Sequence, residues 1–284
     1  MTTEGAESGP GPGLHSHVLD TIGLAIAAGE YPPGSVLRTD EIAERFDASR
    51  TVVREVVRVL ESMHLVESRR RVGVTVRPAD AWNVYDPRVI RWRLAGPDRP
   101  RQLRSLTVLR SAIEPVAAGL AATLATPQHC ADLTAAALGM VRTSRGHQLE
   151  DYLRYDISFH RVVLNASGNE MFARLGDVVA EVLTGRTEHE VMFHDPDPAA
   201  VTLHVQVAEA VREGDAARAE ALTRRIAVGA LEELDVLLAP RPCLSDHAGA
   251  GAPGAAPRGV LVGRRHTTSA PSSALRCTAP DTPA

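Results

Sequence analysis

An aspartate and two histidines in the second half of the sequence have the types and spacing of metal ligands. Asp156 and His160 stand four residues apart, so on a helix both side chains project from one face. His204 lies on a later helical segment. One carboxylate and two imidazoles brought together in a helical bundle would supply three ligands to a divalent metal and leave positions for water or an acidic ligand. Alone, this spacing is more typical of a hydrogen-bonded surface pair.

Arginines form a second chemically suggestive group, nearer the N-terminus. Arg50, Arg54 and Arg58 repeat at four-residue spacing, and seven arginines stand against three glutamates between Ser49 and Arg77. A cationic helix face of this kind suits the phosphates and guanine edges of double-stranded DNA, although an isolated pair is more often a solvated surface. The formal net charge of the whole chain is −4, so the positive charge is local.

The residues around these arginines predict a helix-turn-helix followed by a small hairpin. A short helix should begin at Thr39, with its hydroxyl as N-cap, and a second helix should run over residues 50–63 behind a Ser49 cap. Two strands, 65–68 and 72–76, are joined by three arginines. This hairpin would form a wing whose tip lies against the DNA backbone or in the minor groove.

Length and composition predict two domains in a mainly α fold. The chain has 284 residues with 44% hydrophobic content, which is enough for a sizeable core in each domain. We predict a winged helix-turn-helix domain with a small β-hairpin at the N-terminus, and an all-α helical bundle at the C-terminus. The predicted segments are a disordered N-terminus at 1–13, the DNA-binding domain at 14–78, a linker at 79–100, the bundle at 101–238 and a disordered tail at 239–284.

Within the linker, a helix is expected around 87–94, and Trp82 and Trp92 are expected to pack between the domains because large aromatic surfaces are unfavourable in water. The bundle is predicted to consist of helices at 101–125, 127–143, 148–166, 169–188, 198–213 and 215–238.

Several function classes are disfavoured by the same sequence. There is no apolar run long enough to span a membrane and no secretory signal, so we expect no membrane partner and a cytoplasmic location. The three cysteines, Cys130, Cys243 and Cys277, have neither metal-ligand spacing nor the even number of a disulfide framework.

Three linked motifs in the N-terminal segment resemble the winged helix of the GntR family of bacterial transcription regulators. They lie at 29–37, 41–46 and 49–55, and the resemblance covers roughly residues 14 to 78. It implies a homodimer on a palindromic operator, with operator contacts from the start of the second helix and the wing tip. Where related proteins often carry an arginine, this chain has Asp40. The predicted DNA-binding residues are Ser49, Arg50, Thr51, Arg54, Arg71 and Gly73.

The segment 106–122, the motif 156–160 and His204 resemble the FCD effector domain of FadR-type GntR regulators, over about residues 100 to 238. The resemblance implies that Asp156, His160 and His204 are metal ligands and that a further histidine completes the set on the last helix. This chain has Arg225 in that place. Arginine cannot lose its proton to ligate a metal, and its charge opposes a dication.

Two arrangements of this site stay open at the sequence level. One is a three-ligand divalent, zinc-like site. The other, which we favour, requires no cofactor and is a pocket in which Arg225 and Arg110 bind an effector carboxylate through bidentate hydrogen bonds, with Asp156, His160 and His204 bonded to hydroxyls. The linker phrase at 86–94 resembles regulators of sugar-acid use, which suggests an aldonate or uronate as effector.

The sequence therefore predicts a DNA-binding transcription regulator, a repressor that a small carboxylate such as a sugar acid releases from its operator. Release requires that the acid bind the DNA-bound and free states with different affinity. The alternative is a metal-dependent enzyme that uses Asp156, His160 and His204. Its general base would be His64, His189 or His194, but nothing in the sequence places a base within reach of a substrate.

Overall fold

The N-terminal part of the chain folds as three helices and a small sheet. The computed structural model describes residues 13–145, 148–188 and 196–238. In chain order the first elements are α1 (Leu14–Ala27), β1 (Val36–Leu37), α2 (Thr39–Arg45), α3 (Arg50–Ser62), β2 (Val66–Arg69) and β3 (Gly73–Val76). The predicted helix-turn-helix and wing are confirmed.

The wing is a three-stranded antiparallel sheet in the order β1-β3-β2. The predicted hairpin is β2 and β3, in which Arg69 lies opposite Gly73. Strand β1 has two residues and was not predicted, since so short a strand has no visible alternation. It pairs Val36 with Thr75 and so ties the start of α2 to the wing.

Helix α3 presents one apolar face to the core of this domain. Val53, Val56, Val57 and Leu60 are buried at helical spacing, and they pack in one cluster with residues of α1. The polar face of α3 therefore remains in solvent.

The two predicted helix caps have different outcomes. Ser49 Oγ accepts a hydrogen bond from the amide of Val52 at 3.3 Å, so the predicted cap of α3 is confirmed. Helix α2 begins at Thr39 as expected, but its N-cap residue is Arg38 and no side chain caps it. The predicted Thr39 cap is wrong because Thr39 is already the first helical residue, one position too late for its hydroxyl to cap.

The segment predicted as a linker contains helix α4 (Pro87–Ala95), capped by the carboxylate of Asp86. Val89 and Trp92 on this helix belong to the core of the winged helix, whereas Ile90 and Leu94 pack with the bundle. Helix α4 therefore has apolar contacts on both sides.

Each tryptophan of this segment has a polar partner as well as apolar contacts. Trp92 packs on α1, where its indole donates to Asp20, and its ring leaves no space for a side chain at Gly23. Trp82 is half-buried against the winged-helix core and donates to the carbonyl of Arg77. Both rings thus contact the DNA-binding part of the chain. Trp92 holds helix α4 against helix α1.

The C-terminal part is helical throughout the residues described. Its elements are α5 (Arg99–Leu124), α6 (Pro127–Thr143), α7 (Leu149–Ala166), α8 (Glu170–Arg174), α9 (Gly176–Glu188), α10 (Pro198–Glu213) and α11 (Ala216–Leu238). The mainly α fold is thereby confirmed. The single helix expected at 169–188 is two helices, which meet at Leu175.

Helix α5 is the centre of this bundle. It packs along α11 and also contacts α7 and α10. Its small residues Ala117, Ala118 and Ala121 are fully buried within the chain, which lets neighbouring helices approach closely. The functional side chains described below project from this helix and from the helices around it.

Among the residues described, none of the helices is both long and apolar enough to cross a membrane. The disorder predicted for 1–13 and 239–284 concerns residues that, apart from Gly13, lie outside the described part of the chain. Cys243 and Cys277 lie outside it as well, and Cys130 is a free thiol.

Candidate functional site

The cationic helix face that was predicted to contact DNA is exposed at the start of α3. Ser49, Arg50, Thr51 and Arg54 all lie at the surface, and within the described chain Arg54 has no acidic partner. Arg50 Nη2 lies 3.5 Å from Asp40 Oδ1, but both side chains are largely exposed, so water and salt weaken this pair.

Not every arginine of the predicted cationic face is equally available. Arg58 is 2.5 Å from Glu55 on the same helix, and Arg69 at the end of β2, next to the wing tip, is 2.5 Å from Glu67. Arg70 and Arg71 at the wing tip have no acidic partner in the part of the chain that is described. The unpaired positive charge is therefore concentrated at Arg54 and the wing tip.

The wing tip has an unusual backbone. Arg71 has φ +68° and Gly73 has φ +111°, which is a conformation that favours glycine. A Cβ at position 73 would also lie 3.1 Å from Val36 Cγ1. Gly73 thus allows the tight return of the chain that exposes Arg71.

A second candidate site is a cavity of about 130 Å³ lined by five helices of the bundle and open to solvent on one side. It brings together side chains that lie far apart in the sequence. Its polar lining residues are Arg110 of α5, Tyr152, Asp156 and His160 of α7, Arg186 of α9, Asp197 directly before α10, His204 of α10, and Arg225 and Glu233 of α11.

The three predicted metal ligands do meet in this cavity, and all three are buried. Asp156 Oδ1 lies 3.3 Å from His160 Nε2 and 3.5 Å from His204 Nε2. They are the one group of potential metal ligands found among the described residues. The sequence spacing therefore identified residues that the fold brings together.

Glu114 is a member of the cluster that sequence reasoning missed. It is buried on α5, accepts from Nε and Nη2 of Arg110 at 2.9 and 3.3 Å, and lies 3.2 Å from His160 Nδ1. Arg110 Nη2 is also 3.2 Å from His160 Nε2, while Arg110 Nη1 has no partner in the described chain. The guanidinium edge that was predicted to bind an effector is thus occupied by Glu114.

The cluster shifts the protonation of its members in opposite directions. Burial raises the pKa of Glu114, but Arg110 and then His160 outweigh burial and hold it well below its usual value. Burial lowers the pKa of His160, but Glu114 and Asp156 outweigh burial and the repulsion from Arg110, and they raise it to about 9. Burial lowers the pKa of His204 to about 4 despite Asp156. At neutral pH His160 is therefore charged and His204 is neutral.

Asp156 and His204 have unused atoms that fit a divalent cation, whereas His160 would have to lose its Nε2 proton to become a third ligand. His204 Nδ1 lies 2.7 Å from the carbonyl oxygen of Ala200, and because a carbonyl only accepts, Nδ1 carries the proton. His204 Nε2 is then a buried acceptor 3.5 Å from Asp156 Oδ1, and neither atom makes a hydrogen bond of good geometry, although Asp156 Oδ1 also pairs with the charged His160 at 3.3 Å. A cation, or a hydroxyl group of a ligand, would satisfy both.

A second buried arginine, Arg186, was also missed. It lies in the cavity wall on α9 and donates from Nη2 to Glu233 Oε2 at 2.6 Å. Arg225, which was predicted to bind the effector, is exposed at the mouth of the cavity and has no acidic partner in the described regions. The sequence around an arginine on an amphipathic helix looks the same whether the side chain is buried or exposed. It therefore could not predict that Arg186 is buried while Arg225 is exposed.

A winged helix-turn-helix joined to a helical domain defines a class of DNA-binding transcription regulators. Residues 14–76 match the family described as bacterial regulatory proteins, gntR family, and residues 105–228 match the FCD domain. The chain belongs to the GntR family of transcription regulators and carries an FCD domain.

Relatives of known name agree with this assignment. The chain is 31% identical to the galactonate operon transcriptional repressor of Escherichia coli, over 72% of this chain and 91% of that protein. It is 30% identical to a probable D-xylose utilization operon transcriptional repressor of Paenarthrobacter nicotinovorans, over 75% of this chain and 85% of that one. The alternative of a metal-dependent enzyme is therefore wrong, because the matched families and relatives are regulators. Its proposed bases His189 and His194 lie outside the described residues.

Solved structures show the same fold. The structure of Lar, which controls the expression of the Listeria monocytogenes agr system, has a TM-score of 0.51 and 18% sequence identity. The match extends over 81% of this chain and 100% of that structure. At this identity the likeness concerns the fold alone.

Proposed function

We propose that this regulator is a repressor that binds its operator as a homodimer and is released by a small hydroxylated carboxylate such as a sugar acid. The observation that carries the proposal is the cavity of the FCD domain, in which cationic groups stand beside hydrogen-bonding atoms without partners. The names of the galactonate and D-xylose operon repressors point in the same direction.

The unpartnered atoms of the cavity favour a ligand with both negative charge and hydroxyl groups. Arg110 Nη1 is an unused cationic donor, and Asp156 Oδ1 and His204 Nε2 are unused acceptors. A hydroxyl can donate to these acceptors, and an oxygen atom of a hydroxylated acid can accept from Arg110, whereas an apolar ligand would leave all three unsatisfied. We assign effector binding to Arg110, Asp156, His160 and His204, with Arg225 at the mouth attracting the anion.

A divalent metal is compatible with this assignment and is not required by it. Asp156, His160 and His204 would hold such an ion, which would supply positive charge for an acidic ligand. Binding would require His160 to lose the proton on Nε2, and the nearby Arg110 opposes a dication. Metal analysis of protein purified without chelator tests this point.

Helix α4 offers a route by which the cavity can influence the DNA-binding part. On the bundle side, Arg91 of α4 forms two hydrogen bonds with Glu181 of α9, the helix that also carries Arg186. On the other side, Trp92 packs on α1 and donates to Asp20. A shift of α9 on effector binding would therefore move α4 against α1, which would bias the arrangement of the two winged helices.

The charge distribution supports binding by two subunits. Each recognition face has few arginines without an acidic partner, chiefly Arg54, Arg70 and Arg71 in the residues described. Because affinity for DNA grows with the number of phosphates neutralised, two modules on a palindromic site would bind far more tightly than one.

The experiment that tests the proposal is a DNA-binding assay on the intergenic DNA upstream of the regulator's own gene, with random competitor at moderate salt. We expect specific retention of this fragment, and its release by D-galactonate or another sugar acid but not by neutral galactose. Absence of any preference over random DNA would contradict operator binding. Specific binding that none of a panel of sugar acids changes would contradict the effector class.

A further inference from the structure

The ion pair between Arg186 and Glu233 is asymmetric. Arg186 donates to Glu233 through Nη2 alone, and its Nε is buried without a hydrogen-bond partner. The Arg186 side chain is 9% exposed, whereas the Glu233 side chain is 45% exposed. A buried donor without a partner has lost its hydration without replacement, so this guanidinium is incompletely satisfied.

The pair of Arg110 with Glu114 in the same cavity is the useful contrast. Glu114 accepts from Nε and Nη2 together, and its side chain is 1% exposed. Both nitrogens of that guanidinium edge therefore have a partner, and the partner is buried. Arg186 has the same Nε and Nη2 edge, but Glu233 occupies only half of it. Burial and the neighbouring Arg110 also lower the pKa of Arg186 despite Glu233, so its charge is poorly compensated.

We propose that Arg186 anchors the carboxylate of the effector and that the acid replaces Glu233 as its partner. This inference rests on the proposed function, because it requires a small acid in the cavity. A carboxylate inside the cavity can accept from Nε and Nη2 together, which is the stronger and more directional arrangement. Glu233 is nearly half exposed, so it can return to water at small cost.

The rest of the cavity then defines the ligand class. With the carboxylate on Arg186, the unpartnered atoms left over are Arg110 Nη1, Asp156 Oδ1 and His204 Nε2. One donor and two acceptors are the complement of hydroxyl groups, each of which both donates and accepts. The ligand is therefore a polyhydroxy monocarboxylate, with its acid end toward α9 and its hydroxyls toward α7 and α10.

The exchange also has a structural consequence for regulation. Arg186 follows Gly185, and a Cβ at Gly185 would lie 2.7 Å from Leu94 Cδ1 on α4, so the two helices are in close contact there. Glu233 lies on α11, so its release would detach α9 from α11 at this point. Replacement of one partner by the other thus alters the position of α9 beside α4.

Calorimetric titration of D-galactonate, D-gluconate and D-galacturonate into the full-length protein tests the proposal. For an acid that binds, we expect Arg186→Gln to weaken affinity by about 10-fold or more, since a charged bidentate contact is lost. Glu233→Gln should strengthen affinity by about 3-fold, because the competing carboxylate is gone. Arg186→Lys, which keeps the charge without the two-nitrogen edge, should remain several-fold weaker than wild type.

Two matched variants separate the cavity from general charge effects. Glu232→Gln makes the same change one residue earlier, on an exposed position, and should leave affinity unchanged. Arg161→Gln breaks the exposed pair with Asp177 and should also have no effect. Thermal unfolding followed by circular dichroism identifies variants that fail to fold, and Glu233→Gln alone still tests the exchange if Arg186→Gln does fail.

The outcomes distinguish the two levels of inference. If an acid binds wild type and both Arg186→Gln and Glu233→Gln bind it with unchanged affinity, the anchor is wrong while the proposed function stands. If wild type binds none of the acids, the proposed effector class is wrong and the anchor is overturned with it.

Discussion

The two functional regions use charge in opposite ways. Arg50, Arg54 and the wing arginines stand in water, where each ion pair is weak and each cation keeps its hydration. Arg110, Glu114 and His160 are buried, where a missing partner is severely destabilising. We therefore expect DNA binding to be a sum of small, salt-dependent contributions, and ligand binding to depend on a few groups that cannot be changed singly without structural effect.

The largest expected effect is the loss of one partner inside the buried cluster. Glu114→Gln keeps the shape of the side chain but leaves Asp156 as the one buried carboxylate near the cations Arg110 and His160 among the described residues. We expect it to lower the free energy of unfolding by about 3–5 kcal/mol, measured by urea unfolding. Glu220→Gln is the exposed control, since Glu220 pairs with Arg224 at the surface and should contribute less than about 1 kcal/mol. Equal effects would abolish the contrast between the two regions.

The second prediction concerns the contact that joins the regions. A Cβ at Gly23 of α1 would lie 2.5 Å from the ring of Trp92 on α4. Gly23→Ala should therefore cost about 1–3 kcal/mol of stability through overpacking, seen as a lower melting temperature. Gly229→Ala in α11 is the matched control, because nothing lies within 4 Å of its added Cβ. That variant should be neutral or slightly stabilising, and a reversed order would refute the close packing of α4 on α1.

A third prediction ranks the arginines of the exposed face. Arg54→Ala should weaken specific operator binding by about 1–3 kcal/mol, measured by fluorescence anisotropy. Arg58→Ala should have a smaller effect, because Arg58 is already paired with Glu55. If the Arg54 variant binds as tightly as wild type, Arg54 has no place among the operator contacts.

The smallest expected effect comes from the acidic residue beside Arg50. Asp40→Asn removes the partner of Arg50 and a negative charge near the phosphates, so operator affinity should rise by up to about 1 kcal/mol at low salt. Raising the salt concentration should shrink this gain. Glu44→Gln removes a charge from the same short helix, and an equal gain there would mean that the pair with Arg50 has no specific role.

Local patterns predicted the helix-turn-helix and the hairpin of the DNA-binding part, but not strand β1 or the uncapped start of α2. The Ser49 cap, the buried valines of α3 and the arginines opposite them follow from helical periodicity within a few residues. The pair Asp156 and His160 could be predicted for the same reason, since four-residue spacing on one helix fixes their common face.

What the sequence determined by itself, then, was most of the helices, the exposed arginine face and one side of the ligand cavity. Only the tertiary structure decided that Glu114 and Arg186 are buried in that cavity while Arg225 stays at its mouth, and that α4 packs on both sides. The physical reason is that one amphipathic helix specifies its own apolar face but not which helices will cover its polar residues. A charged residue on a helix has the same local pattern whether it meets water or a buried partner, and that choice is made by packing between distant segments.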